Sequence, residues 1–456
     1  MKKVISVIMV LVMYLALFTG CGGEQTTTNG TSTTSSEDSQ STNNGSDGGE
    51  VVITFATSVY VEEPHQKAID ELIEAYNAKN NGVKIEVYGA GYADFWDNVT
   101  VEIMGGNEAD ILQVYPENVV SYNSLRAEGV FEDLSQYIGD SDYESTLAGQ
   151  DMCTFDGETL ALSNYAWGTT GFFYRKSILE EAGVDPDSIN TWEDFYTASQ
   201  KIADAGKIPM GIVDSSHAFV VSEWSRIMAR SISGGLYFPD GESGPYVSDR
   251  LQVNAPANVW AAQEWQRYFL TDGLGKSSPD KKDAREYFWN GLAAFNHDGP
   301  WFIGMTAEHD PALMDDIGLI PIFDIEYEGK TYKPAPTMYP LVTCLSQKAE
   351  HKQEAWDFMA WMTSEEAQKI IATCGMIPAS VEYANSNEYN EEYELASVFV
   401  SFLESYAPQI ADPFIPQQGE LNQVLIDATQ RIFAGGEDPK SVLDEANEQC
   451  KMVMER

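Results

Sequence analysis

Basic residues are scarce in this chain of 456 residues, with 27 Lys and Arg against 71 Asp and Glu and a formal charge of −44. Nucleic-acid binding needs basic stripes that displace counterions from phosphates, and this composition excludes it. Cysteine is rarer still, at five, and the spacings of Cys153, Cys344, Cys374 and Cys450 match no zinc pattern. Buried isolated thiols are the simpler expectation, while export would permit disulfides. Catalytic signatures are missing too. A phosphate loop needs a glycine five residues before its Gly-Lys, but Leu270 and Asp324 hold those places in "GLGKSS" and "EGKT", so both read as turns. No histidine pair has metallohydrolase spacing, no Gly-x-Ser-x-Gly elbow occurs, and "DPDSIN" lacks the glycine and glutamate of a calcium loop. The expectation is a protein with no catalytic residue, metal or cofactor.

Long hydrophobic runs are limited to "VISVIMVLVMYLALF", behind the basic start "MKK". The run is short for a membrane span, and "TGCGG" follows it. The segment resembles a bacterial lipoprotein signal, with 1–20 removed and Cys21 lipidated; an ordinary secretory peptide cut nearby is the alternative. Between Cys21 and residue 50 the chain has no aliphatic, aromatic or basic side chain. It cannot bury enough surface to offset ordering entropy, so it reads as a flexible tether.

What remains is rich in pattern. "VVITFATS", "VKIEVYG" and "ADILQVY" read as strands, separated by the helical "EPHQKAIDELIEAYNAK" and "DFWDNVTVEIMGG". Such alternation means a parallel sheet covered by helices, with ligands beyond the carboxyl ends of its strands. Further on, "GFFYRK", "DIGLIPIF" and "YPLVTCLS" read as strands. Thr191 is a plausible cap for the helix "WEDFYTASQKIAD". Length alone suggests two globular lobes.

Five segments then stand in a telling order: "ITFATS … IDELIEAYNAKNNGVKIEV", "EADILQVY … LRAEGVFEDLSQYI", "FFYRKSILEEAGVDP … TWEDFYTASQKI", "NGLAAFNHDGPW" and "AWDFMAWMTSEEAQKIIATCGMIPAS". Together they resemble the extracellular solute-binding proteins of ABC sugar importers, the family that includes maltose-binding protein. Tyr174-Arg175-Lys176 and Ala109-Asp110 depart from the family's common Tyr-Asn-Lys and Pro-Asp. The resemblance implies an α/β, two-lobed periplasmic-binding-protein-like fold of type II, with the ligand enclosed at a hinge crossed three times. The crossings are expected near Asn164–Gly168, Leu319–Phe323 and Gly375–Ala379. Lobe 1 would then comprise 51–164 and 323–375, and lobe 2 would comprise 165–322 and 376–456.

A sugar site needs aromatic platforms and polar groups at fixed positions. In "DGPWF" the Gly-Pro turn can aim Trp301 into a cleft, where the resemblance implies stacking on sugar; a core tryptophan is the other reading. Asp298 shares that stretch, as a ligand contact or as turn chemistry. Tyr60 and Glu62 follow the first strand, and Tyr115 and Glu117 follow the third, as contacts or solvated loop residues. Asn164 and Trp167 lie at the first crossing. Trp224 and Tyr339 complete the candidates, although helical spacing makes core packing simpler for Trp224. The resemblance implies a monomeric, non-enzymatic, lipid-anchored protein on the extracellular face of the bacterial cytoplasmic membrane. It would deliver a carbohydrate, with several aromatic candidates favouring an oligosaccharide, to an ABC permease. Two rivals stay open, a binder of peptides or polyamines and a polysaccharide-active enzyme.

Overall fold

Strand and helix alternate from Val51 onward in the computed structural model, which describes residues 50–456 apart from 91, 116–118, 156, 168 and 217–218. The expected signal, Cys21 and the tether up to 49 lie outside the described residues, as does Glu117. β1 (Val51–Thr57), β2 (Val83–Gly89) and β3 (Ile111–Val114) are parallel and joined by the helices Glu63–Asn77 and Tyr92–Gly105. The short hairpin β4 (Thr154–Phe155) and β5 (Glu158–Thr159) precedes β6 (Leu162–Trp167). β7 (Gly171–Arg175), β8 (Ile208–Val213), β9 (Gly275–Ser278), β10 (Ala293–Asp298) and β11 (Ile317–Pro321) follow. A second hairpin, β12 (Ile325–Tyr327) and β13 (Lys330–Tyr332), leads to β14 (Tyr339–Leu345) and β15 (Ile377–Pro378).

These strands build two main sheets. One has six strands in the order β15-β6-β14-β3-β1-β2, and the other has five in the order β11-β7-β10-β8-β9. In the first, β14 runs antiparallel to β3 and β6, and β15 antiparallel to β6. In the second, β8, β9 and β10 are parallel, and β7 runs antiparallel to β10 and β11. The period of two is plain in the first sheet. Ile53, Phe55 and Ile111 face one core, while Ala56, Leu112 and Val114 face another. Both faces are buried, as helix-covered parallel strands require.

Trp192, Phe195, Trp265, Tyr268, Phe295 and Phe323 form an aromatic cluster against the second sheet. Thr191 caps the helix Trp192–Asp204 in a reciprocal capping box with Asp194. The pattern in "KQEAWDFMAWMTSEEAQKIIATCG" resolves into two helices, Lys352–Met362 and Glu365–Ala372, because Ser364 caps the second. "GLGKSS" is corrected by the structure: Gly275–Ser278 is an edge strand paired with β8, not a turn. "EGKT" does turn, at Gly329 (φ 72°), between β12 and β13. All four described cysteines are free and buried.

The strand pairing bears on the hinge. β6 carries Asn164 to Trp167 within the first sheet, Leu319 pairs with Phe173 inside the second, and β15 seats Ile377 and Pro378 back on the first. Between β13 and β14, Met338 N donates to Gln409 O, and Gln409 N donates to Pro336 O at 2.8 Å.

Candidate functional site

The carboxyl ends of both parallel sets open onto one cavity of about 400 Å3. That volume lies within the roughly 300–1,000 Å3 of small-ligand clefts. Glu62 follows β1, Tyr115 follows β3, and Tyr339 opens the antiparallel β14 beside them. From the second sheet come Phe219 and Arg226 after β8, Lys281 and Arg285 after β9, and Trp301 and Met305 after β10. The C-terminal part adds Asp412, Gln418 and Asn422.

Trp301 opens the helix Trp301–His309, with Pro300 as its cap residue, and is 7% exposed. Its indole folds back over Gly299, so a β-carbon added there would sit 2.2 Å from two ring carbons. Glycine is what lets the ring lie against its own backbone. The same tryptophan also belongs to the core shared by the helix Glu63–Asn77 and Phe302, so it serves as both wall and packing. Phe302 stacks on Trp289 and meets Phe173 edge-on, which holds the start of this helix in place.

Asp298 does not line the cavity. It ends β10, fully buried, and accepts two bonds from Arg285 (2.8 and 3.1 Å), one from Asn296 and one from the Gly299 N–H. Burial would raise its pKa, but Arg285, Lys281 and these bonds outweigh that and hold it down to about 2. Its four lone-pair positions are filled, so its structural part is to aim Arg285. Glu62 keeps its pKa above the usual carboxylate range through burial, with Arg285 opposing.

Other candidates fall elsewhere. Asn164 is buried in β6, where its Oδ1 accepts from Gln113 (3.3 Å), which in turn accepts from Thr57 (2.6 Å). Tyr60 donates to Asp70 at 2.7 Å on the surface. Trp224 is fully buried against the second sheet. Trp167 is described through its backbone alone, paired with Tyr339. The cavity therefore brings together Trp301, Tyr115, Tyr339 and Glu62 from the sequence expectations.

Four cations went unanticipated. Arg226 and Arg230 are four apart, the first inside and the second just after a π-turn at Ser225–Ala229 that continues the helix Phe219–Trp224. Lys281 and Arg285 are also four apart, on the helix Lys281–Trp289. Lys281 Nζ donates to the His297 carbonyl and lies 3.4 Å from Glu223. Burial drives the Glu223 pKa up to about 7 even against that ammonium. Arg230 pairs with the fully buried Glu242 at 3.1 Å and donates to the carbonyls of Ile410 and Ala411. In "SRIMAR" and "KKDAR" the i,i+4 pairs were visible, and in so acidic a chain they were the usable signal.

The arrangement offers flat aromatic faces and oriented donors around one space, which is a binding chemistry. Among the described residues no group of three or more His, Cys, Asp or Glu is placed to hold a metal ion. No described helix is long and apolar enough to cross a membrane.

Comparison with known proteins agrees with the fold. An arabinooligosaccharide-binding protein of Bacillus subtilis (strain 168) is 23% identical over 99% of this chain and 100% of its own length. A lactose-binding protein of Rhizobium radiobacter is 23% identical over 53% of this chain and 54% of the relative. Among solved structures, a Thermotoga lettingae ABC transporter solute-binding protein bound with α-D-tagatose superposes with a TM-score of 0.72 at 17% identity, covering 89% of this chain and 100% of the other. An ABC substrate-binding protein of Listeria monocytogenes in complex with cycloalternan gives 0.70 at 21% identity, over 89% and 99%. The fold is that of type II periplasmic-binding proteins. The model of the bacterial extracellular solute-binding proteins matches residues 62–369, and the chain belongs to that family.

Proposed function

We propose that this protein captures an oligosaccharide outside the cell and hands it, as a monomer, to the permease of an ABC importer. The observation that carries this reading is the ring of aromatic faces, Tyr115, Phe219, Trp301 and Tyr339, around a cavity at the carboxyl ends of two sheets. Sugar rings present flat C–H faces and peripheral hydroxyls, and aromatic planes with oriented donors complement both. Relatives named for arabinooligosaccharide and lactose binding point the same way. Binding without chemical conversion is supported by the family and by relatives named as binding proteins.

Lipidation of Cys21 and a flexible tether would keep the binding part at the outer face of the cytoplasmic membrane. Membrane fractionation of Cys21→Ser tests this; retention of that variant in the membrane fraction would remove the anchor from the reading. The lobes are proposed to follow the sheets, with crossings between β6 and β7, between β11 and β14, and at 409–417. Closure about these crossings would enclose the ligand. A thermal-shift screen over arabino- and malto-oligosaccharides, lactose, peptides and polyamines tests the ligand class, since a ligand of the native state raises the midpoint. Stabilisation by peptides or polyamines, with no response to any saccharide, would overturn the proposal.

A further inference from the structure

The same cavity carries an electrostatic signature that the fold does not require. Only 27 of 456 residues are Lys or Arg, yet four of them, Arg226, Arg230, Lys281 and Arg285, line this one space. They face two carboxylates on the wall, Glu62 and Asp412. Buried cations are costly, so a concentration of this kind calls for a reason.

Helix ends add to it. The helix Glu63–Asn77 starts behind Glu62, the helix Trp301–His309 starts at Trp301, and the helix Gln418–Phe433 starts at Gln418. Glu62, Trp301 and Gln418 all line the cavity, and none of the three helices has a side-chain cap bond at its N-terminus. Each of these N-termini contributes a partial positive charge.

Fixed carboxylates behind the wall hold three of the cations: Glu242 for Arg230, Glu223 for Lys281 and Asp298 for Arg285. That compensation is weakened at Lys281. Burial lifts Glu223 to about 7 and raises Glu242 and Glu62 as well. Arg230 is 97% buried by its side chain (3% exposed), and its Nε has no hydrogen-bond partner among the described residues. Arg285 commits two of its nitrogens to Asp298. Guanidinium forks match planar carboxylates in two-point contacts.

We infer that the ligand is an acidic oligosaccharide, one whose sugar carboxylates are received by Arg226, Arg230, Lys281 and Arg285 at the mouth of three helix N-termini. This rests on the oligosaccharide reading above and names the class within it. Aromatic faces take the rings, and the cations take the uronate groups. A neutral sugar would leave these donors to hydroxyls alone, which use the positive potential poorly.

The test is calorimetric titration of the full chain in mild detergent with matched pairs. Oligogalacturonates are set against their methyl esters, glucuronate-substituted xylo-oligosaccharides against the unsubstituted ones, and oligomannuronates against carboxyl-reduced forms. Charge-assisted bonds predict that the acid member of at least one pair binds roughly tenfold or more tightly than its neutral partner. That preference should shrink between about 20 and about 500 mM NaCl as the charges are screened. Arg226→Gln, at a half-buried position, should bring the ratio toward one. The salt series on the unsubstituted protein stands even if that variant folds poorly. Neutral members binding as tightly as the acids, in every pair that binds, would overturn the acidic-ligand inference and leave the oligosaccharide reading standing. No response to any saccharide would overturn both.

Discussion

Trp301 shows how one side chain answers to two demands. Its indole lines the cavity and packs in the core with the first sheet's helices. Trp301→Ala should therefore lower affinity by roughly tenfold or more, from a lost stacking face worth about 1–3 kcal/mol. It should also cost up to about 3–5 kcal/mol of stability. Titration calorimetry and urea unfolding on the same variant separate the two losses; unchanged affinity in the folded fraction would confine Trp301 to the core. Glu223 gives a pH signature. Its folded pKa, about 7, lies above the ordinary glutamate value of 4.5, so its contribution is fully present below the lower value and lost as pH rises through the upper one. Relative to Glu223→Gln, the natural protein should lose up to about 1.4 kcal/mol per pH unit across that window. Urea unfolding at about pH 5 and about pH 8 measures it, and a pH-independent difference would show that the carboxyl is ionised throughout. The sequence made Tyr115, Tyr339 and Glu62 legible as cavity-lining positions because each follows or opens a strand that pattern identifies, and Trp301 through the Gly-Pro turn before it and the family resemblance. The cations were passed over, since their i,i+4 pairs become notable only once the fold brings two separate helices to one cavity. Asp298 reads from sequence as a ligand contact or as turn chemistry and is neither a cavity-lining residue nor alone, because its partner Arg285 is thirteen residues back on another element and only the fold brings them together.

At the scale of the element, the helix Trp301–His309 depends on two glycines, one just before it and one inside it. Gly299 faces a movable ring, while a β-carbon on Gly304 would meet the backbone carbonyl of Cys374 at 2.2 Å. Gly299→Ala should displace the indole and lower affinity more than stability, since its backbone lies outside the left-handed region. Gly304→Ala must instead push the helix off the Cys374–Gly375 segment, costing about 1–3 kcal/mol or more. Comparing the midpoints and affinities of the two variants checks the contrast; equal stability losses would contradict it. Strands β1 and β2 and the helix between them were readable because period and turn residues agree locally. The strand at Gly275–Ser278 was not. Its "GKSS" has no β-branched or alternating pattern, and it exists as an edge because β8 offers it a partner.

For the whole molecule, Arg230 joins the cavity wall to the carbonyls of Ile410 and Ala411, next to the backbone pairing of 336–338 with Gln409. A ligand that engages this arginine is thereby linked to the segments proposed as crossings. X-ray scattering of residues 50–456 should show a smaller radius of gyration with saturating ligand than without; an unchanged radius would mean a rigid pocket. A proposed crossing is hard to read from sequence, because it is defined by which sheet each flanking strand joins, and β15 joins the first through pairing between residues about 210 apart. The four buried thiols carry a different consequence. Burial raises Cys374 and Cys450 to about 12 and pushes Cys153 and Cys344 upward too, so these four present almost no thiolate at neutral pH while folded. Unfolding in an oxidising medium exposes all four at ordinary reactivity, with no native pairing to guide them. The native fold thus acts as its own antioxidant shield, and a single excursion out of it risks scrambled crosslinks that trap the chain.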